Sequence, residues 1–220
     1  MGIKSIAKLF LVVSLVVLHG CASFEQNKVA RITAMPDVTQ YQNKPSVYFD
    51  LAVFRGKPHA SPVKSKSNIK HFQKIVQNAA QKTDLFSEMS FDAEKQNESD
   101  YTLKIKLYNH GDEGIAFISG FLCGFTLGVV PGFAEDNFML ELEAIDNQGT
   151  VISSHTNEDT VHTWLGLWFI PFADNTPEKA IENTLEAQIK SALVELFNTQ
   201  KLLYSATEFQ IPLKLPHGSA

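Results

Sequence analysis

The chain lacks most of the features that disclose a biochemical activity. It holds two cysteines in 220 residues, too few for a disulfide framework, so the fold must rest on packing. It has no block of basic residues, which removes the electrostatic footprint of a nucleic-acid binder. No P-loop, dinucleotide fingerprint or HExxH occurs. Ile118-Ser119-Gly120 lacks the glycine two residues before the serine that a nucleophile elbow uses. His155 and His162 are seven apart, so on one strand they face opposite ways and cannot share a metal. His110, Asp112 and Glu113 make a weak ligand set at a strand end, where a solvated turn is the simpler reading. Glu135-Asp136 and Glu158-Asp159 read as solubilising charge. The expectation is a non-enzyme with no metal and no dissociable cofactor.

What is present begins at the amino terminus. Lys4 and Lys8 precede a short apolar run, Leu9 to Leu18, broken only by Ser14. A bilayer span needs roughly 20 apolar residues, so this is the pattern of a secretory leader and not of an anchor helix. Losing it would make the formal charge of −5 two units more negative. Leu18-His19-Gly20-Cys21 resembles the lipobox of Gram-negative bacterial lipoproteins. The resemblance implies that the Cys21 thiol receives a diacylglyceryl group, that cleavage follows Gly20, and that the new amino terminus is acylated by a palmitate-type chain. His19 departs from the small or apolar residue usual at its place. Ala22 is not the aspartate that marks inner-membrane retention, so the resemblance implies outer-membrane delivery with the domain in the periplasm. On this reading residues 1–20 are the leader, 21–44 a polar tether and 45–215 a single domain.

Periodicity then divides the domain. Ser46 to Phe54 is rich in β-branched and aromatic residues and reads as a strand. A helix is expected over about Asn68 to Lys82, capped by Ser67, with Ile69, Phe72, Ile75, Val76 and Ala79 on its buried face. Leu85 and Phe86 read as core plugs in a polar link. Tyr101 to Tyr108 and Asn137 to Ile145 alternate as half-buried strands. Asp146-Asn147-Gln148-Gly149 supplies a turn into a third strand, Thr150 to His162. After Pro177 a long helix runs to about Thr199 with Thr176 as its cap. A strand around Ala30 to Thr33 and an edge strand within Glu208 to Leu215 are weaker expectations. The predicted fold class is α+β: an antiparallel-rich sheet of four or five strands, two helices on one face, and two apolar insertions at one end.

Those insertions are Ile115–Phe133 and Trp164–Phe172, neither of which contains a charge. In an antiparallel meander both leave the sheet at the end opposite the Asp146 turn, which predicts one apolar tip. Its contact residues would be Phe117, Phe121, Phe125, Leu127, Trp164, Leu167, Trp168 and Phe169. Gly120, Gly124 and Gly128 recur every four residues and would form a smooth ridge for close packing. The first insertion is long enough to suggest a membrane helix, but one crossing would separate strands that should pair. A re-entrant or helical hairpin turning near Cys123, or a pair of strands in a multi-chain barrel, keeps them together. Three roles stay open: folding back as core over the second face of the sheet, touching a membrane, or meeting a protein partner or second copy. Cavity walls for a small molecule or lipid are a fourth.

The strand, helix, link ending in Ser99-Asp100-Tyr101, and meander through Asp146-Asn147-Gln148-Gly149 resemble periplasmic α/β lipoproteins. Among these are activator lipoproteins of penicillin-binding proteins and the curli secretion channel lipoprotein, which forms a ring-shaped pore. The likeness implies an accessory, assembly or interaction factor, with a homo-oligomer or an envelope protein as partner beside the membrane, and carries over no site residue. The lipid at Cys21 is expected to fix one end of the molecule and the tip to make a second contact at the other.

Overall fold

The computed structural model describes residues 20–38 and 43–199. Seven strands form one sheet in the order β1-β7-β6-β5-β2-β3, with β4 also pairing β2. The strands are β1 (Cys21–Glu25), β2 (Ser46–Arg55), β3 (Val63–Ser65), β4 (Glu88–Ser90), β5 (Tyr101–His110), β6 (Gly132–Asp146) and β7 (Val151–Leu165). Among the described residues three α-helices accompany them: α1 (Ile69–Thr83), α2 (Glu113–Phe125) and, after the last strand, α3 (Pro177–Thr199), with 3-10 turns at Ala93–Glu98 and Leu167–Phe172.

The sheet is larger than expected and mixed. β2 lies parallel to β5 and to β4, while β5, β6 and β7 form the expected antiparallel meander. The parallel pair follows from the order strand-helix-strand: α1 carries the chain back to the end where β2 began. Between the long strands, the expected turn is in place. Asp146 Oδ1 accepts from the Gln148 and Thr150 backbone N–H groups at 2.9 and 2.8 Å, and Gly149 adopts φ +81°.

Alternation along the strands separates two faces. Phe49, Val53, Leu103, Ile105, Leu107, Phe138, Leu140, Leu142 and Ala144 are buried in the main core with Ile75, Val76 and Ala79 of α1 and Leu185, Ile189, Leu193 and Leu196 of α3. Ile69, Phe72 and Ile181 sit at its edge, and Leu85 and Phe86 plug it. The other face carries Lys104, Lys106, Glu141 and Glu143, which pair across β5 and β6 at 3.4–3.9 Å. Those charges keep that face solvated, so the apolar insertions do not cover it.

Local details also differ. α1 starts at Ile69 behind Asn68, which has a left-handed φ of 58° and no side-chain cap, so Ser67 is not the cap. Thr176 does cap α3, accepting from Lys179 N–H at 3.3 Å. The stretch expected as a tether opens as β1, and no strand forms at 30–33. Ala22 is fully buried there and Ser23 N–H donates to Asn175 O at 2.7 Å. The strand expected near 208–215 falls outside the described residues.

Candidate functional site

The Asp146 turn closes one end of the sheet, and apart from Val63 and Val151 the exposed large apolar side chains gather at the other. β6 has 15 residues, so the two ends are roughly 45 Å apart. At the far end Gly132 pairs with Leu165, and Leu165 pairs on its other side with Cys21. The first insertion leaves β5 after His110 and re-enters at Gly132. The second follows β7 directly. Cys21 therefore sits on the same edge as both insertions, which corrects the expectation that the anchor and the tip occupy opposite ends.

The first insertion is neither a hairpin nor a pair of strands. Asp112 caps α2 by accepting from Ile115 N–H at 2.9 Å. The helix runs to Phe125, and the chain then turns through Thr126 to Pro131. α2 has 13 residues, about 20 Å of helix, against a hydrocarbon core of about 30 Å. Among the described residues, no helix is long and apolar enough to cross a membrane.

α2 touches the sheet through its small side. Ser119 Oγ donates to Phe133 O at 2.6 Å and accepts from Phe133 N–H at 3.0 Å. The Cys123 Sγ lies 3.6 Å from Leu165 O. Everything larger points away. Phe117 is 76%, Phe121 65% and Phe125 79% exposed, and no residue of α2 is buried. Ile115, Ile118, Leu122, Leu127, Val129 and Val130 extend the patch. Phe121 and Phe125 stack on each other, centroids 6.4 Å apart.

The second insertion braces the first. Leu167 N–H donates to Gly128 O at 3.1 Å and Trp168 Nε1 to Val129 O at 2.9 Å, leaving the Trp168 ring 66% exposed. Trp164 packs between Phe133 and Phe169, at 4.7 and 5.6 Å. Of the expected contact residues, Phe117, Phe121, Phe125, Leu127 and Trp168 are thus presented outward, whereas Trp164, Leu167 and Phe169 are half-buried supports. The glycine ridge is split. A Cβ at Gly120 or Gly124 would meet nothing within 4 Å, so among the described residues no helix packs there, while Gly128 is buried in the turn against Gly166 and Leu167.

The polar clefts lie at the margin of the patch, where Ile115 lines one of them. Clefts of about 640 and 510 Å³ flank His110 to Glu113, and neither is lined by Phe117, Phe125 or Trp168. The expected weak metal set is broken up: His110 faces Glu158 at 3.8 Å, Asp112 caps α2, and Glu113 pairs with Arg55 at 3.1 Å. His71, Glu178 and Glu182 instead bring ligand atoms within 4.8 Å of one another and could hold a metal ion. Their side chains are surface-exposed in part, and His71 Nε2 lies 3.7 Å from a Glu182 carboxylate oxygen. The grouping appears only once α1 packs beside α3. Glu135 accepts from Asn137 and lies 3.1 Å from His162 Nε2. The Asn137 bond chiefly holds its carboxyl below the usual range, burial works the other way, and His162 adds to the lowering.

Asp159 was expected at the surface and is fully buried. Its carboxylate accepts from the backbone N–H groups of Lys28 and Val29 at 3.2 and 3.1 Å, and from Thr160 at 2.7 Å. It clamps the segment after β1, and with it the position of Cys21, to the sheet. No local pattern marks such a residue, because its partners lie about 130 positions away.

No protein-family model and no curated protein sequence matches the chain. Solved structures resemble it distantly. A PelC dodecamer from Paraburkholderia phytofirmans is 12% identical, covering 79% of this chain and 98% of that one, with a TM-score of 0.37. A neuraminyllactose-binding hemagglutinin homolog from Helicobacter pylori is 12% identical over 80% and 97%, TM-score 0.39. A DUF4136 family protein from Bacteroides thetaiotaomicron is 11% identical over 84% and 97%, TM-score 0.31. Likeness of this depth transfers no function.

Proposed function

We propose that the protein is an outer-membrane lipoprotein, anchored through lipid on Cys21, that lays its apolar tip into the same bilayer surface and acts there as a non-catalytic accessory or assembly factor. One observation carries this reading: Cys21 pairs with Leu165 at the edge of the apolar patch. Acyl chains on that cysteine would enter the membrane beside Phe121, Phe125 and Trp168. A patch of this size in water normally marks a contact site. An in-plane helix that buries its aromatic face in the headgroup region needs no span, and α2 is too short for one. Two attachments at one end also fix orientation. The long strands stand away from the bilayer, and the Asp146 turn and the charged face of the sheet are offered to the periplasm.

The test uses the native, lipidated protein in vesicles whose acyl chains carry bromine. Trp164→Phe leaves Trp168 as the only indole. Strong quenching of Trp168 is expected; fluorescence unchanged from that in unbrominated vesicles would place the tip outside the bilayer and defeat the proposal.

A further inference from the structure

The Cys21 edge carries one contact that insertion of the tip does not require. The Gly20 carbonyl accepts from Gly166 N–H at 2.7 Å, and Gly20 is buried. A Cβ on Gly20 would lie 2.3 Å from the Gly166 carbonyl oxygen and 3.4 Å from Ile170 Cγ1. The slot therefore admits a carbonyl followed by an unbranched carbon and nothing wider. The donor is held in place by its own constraints. Gly166 has φ +141°, and a Cβ there would come within 3.0 Å of Gly128 O and 3.4 Å of Pro131 Cα. Only glycine gives this N–H that position.

We propose that Gly166 N–H is a binding site for the amide carbonyl of an acyl chain carried on the Cys21 nitrogen. This rests on the lipoprotein reading above. Cleavage after Gly20 takes that carbonyl away as the carboxylate of the leader. It leaves a Cys21 amine, protonated in water, with N–H groups turned towards a backbone N–H: donors with no acceptor in a confined place. Acyl transfer from a phospholipid ester repairs this. The ammonium first gives one proton to water; the free amine nitrogen then forms the new C–N bond, the ester C–O bond breaks, and a second N–H proton goes to the departing lysophospholipid oxygen. The product is an amide on the same nitrogen, planar and trans like the peptide it replaces. Its carbonyl falls where the Gly20 carbonyl was, and its first methylene takes the place of the Gly20 Cα. The chain beyond follows the direction of the Gly20 nitrogen, away from the Gly166 carbonyl that closes the Cβ side. Gly166 thus reads whether the amino terminus has been acylated, and docks β1 fully only when it has.

The experiment compares the full mature protein from cells with and without the N-acylating step, each in detergent micelles, with the mass of the N-terminal peptide fixing its acylation state. Hydrogen exchange is followed by NMR on glycine-labelled protein. Gly166 N–H is expected to exchange roughly tenfold faster in the free-amine form. Gly128, which donates to Cys123 O at 2.7 Å in the same tip, keeps its rate. Equal Gly166 rates in the two forms, or an equal acceleration of Gly128, overturn the proposal while leaving lipidation intact. An N-terminal peptide without lipid overturns the lipoprotein reading itself and this site with it.

Discussion

Two helices of this chain invert the usual relation between hydrophobicity and burial. α3 is mixed in composition, with four acidic or basic residues in its first half alone, yet eleven of its side chains are buried, Thr184 and Gln188 among them. α2 has one charged residue, Glu113, and none of its side chains is buried. α3 is a structural helix: its stripe meets a sheet face built to receive it, and Gln188 even donates to Phe138 O at 2.8 Å. α2 meets the sheet through Ser119 and Cys123 and shows its bulk to the outside. Hydrophobic residues serve folding only where the rest of the chain supplies a partner surface. Where it does not, they specify a contact with something else.

Substitutions should separate these two kinds of helix. Leu193→Ala, in the centre of α3, should cost about 2–5 kcal/mol in unfolding free energy by urea titration, since Leu193 is fully buried. Replacing Phe117, Phe121 and Phe125 together by serine should leave that titration nearly unchanged. The same change should weaken flotation with liposomes of a chain lacking residues 1–21 by roughly a hundredfold, about one kcal/mol for each partly inserted ring. A large loss of stability in that triple variant would mean that α2 is core after all.

The clamp on the segment after β1 can be tested in the same terms. Asp159→Ala strands three backbone donors and should cost about 1–3 kcal/mol. Amides of residues 22–29 should then exchange faster while those of β5 hold. Uniform acceleration across the sheet would show that Asp159 stabilises the whole domain and not this segment.

The smallest effect is expected at Glu135. Its folded carboxyl titrates below the ordinary glutamate value of about 4.3. Its contribution is therefore fully present above that value and disappears as pH falls through the lower folded one. Glu135→Gln should flatten the acid limb of a stability-against-pH curve slightly, with no change near neutrality. An unaltered acid limb would remove the Asn137 and His162 contacts from the account.

Much of this arrangement is legible in the sequence, for physical reasons that stop at short range. The Asp146 turn, both long helices and the alternation of β5 and β6 are local patterns, and from them follows the gathering of both insertions at one end. The parallel pairing of β2 with β5 follows from the strand-helix-strand order, but the run of hairpin strands after it points only to an antiparallel-rich sheet and names no parallel pair. β3 and β4 have three residues each, too few to show a period. β1 has no pattern of its own, because β7 and the loop at Asn175 decide its pairing. For that reason the position of Cys21 could not be read, and it is the one that changes the functional reading most: the residue proposed to carry the lipid lies beside the tip.

The most direct test of that juxtaposition measures depth at both ends of one molecule. In lipidated protein carrying Cys123→Ser and reconstituted in vesicles, a nitroxide is placed at residue 121 or at residue 148. The label at 121 should be relaxed by oxygen and shielded from a water-soluble paramagnet, and the label at 148 should show the reverse. Water-soluble relaxation of both labels to the same degree would mean that the tip stands clear of the bilayer holding Cys21, contradicting the account.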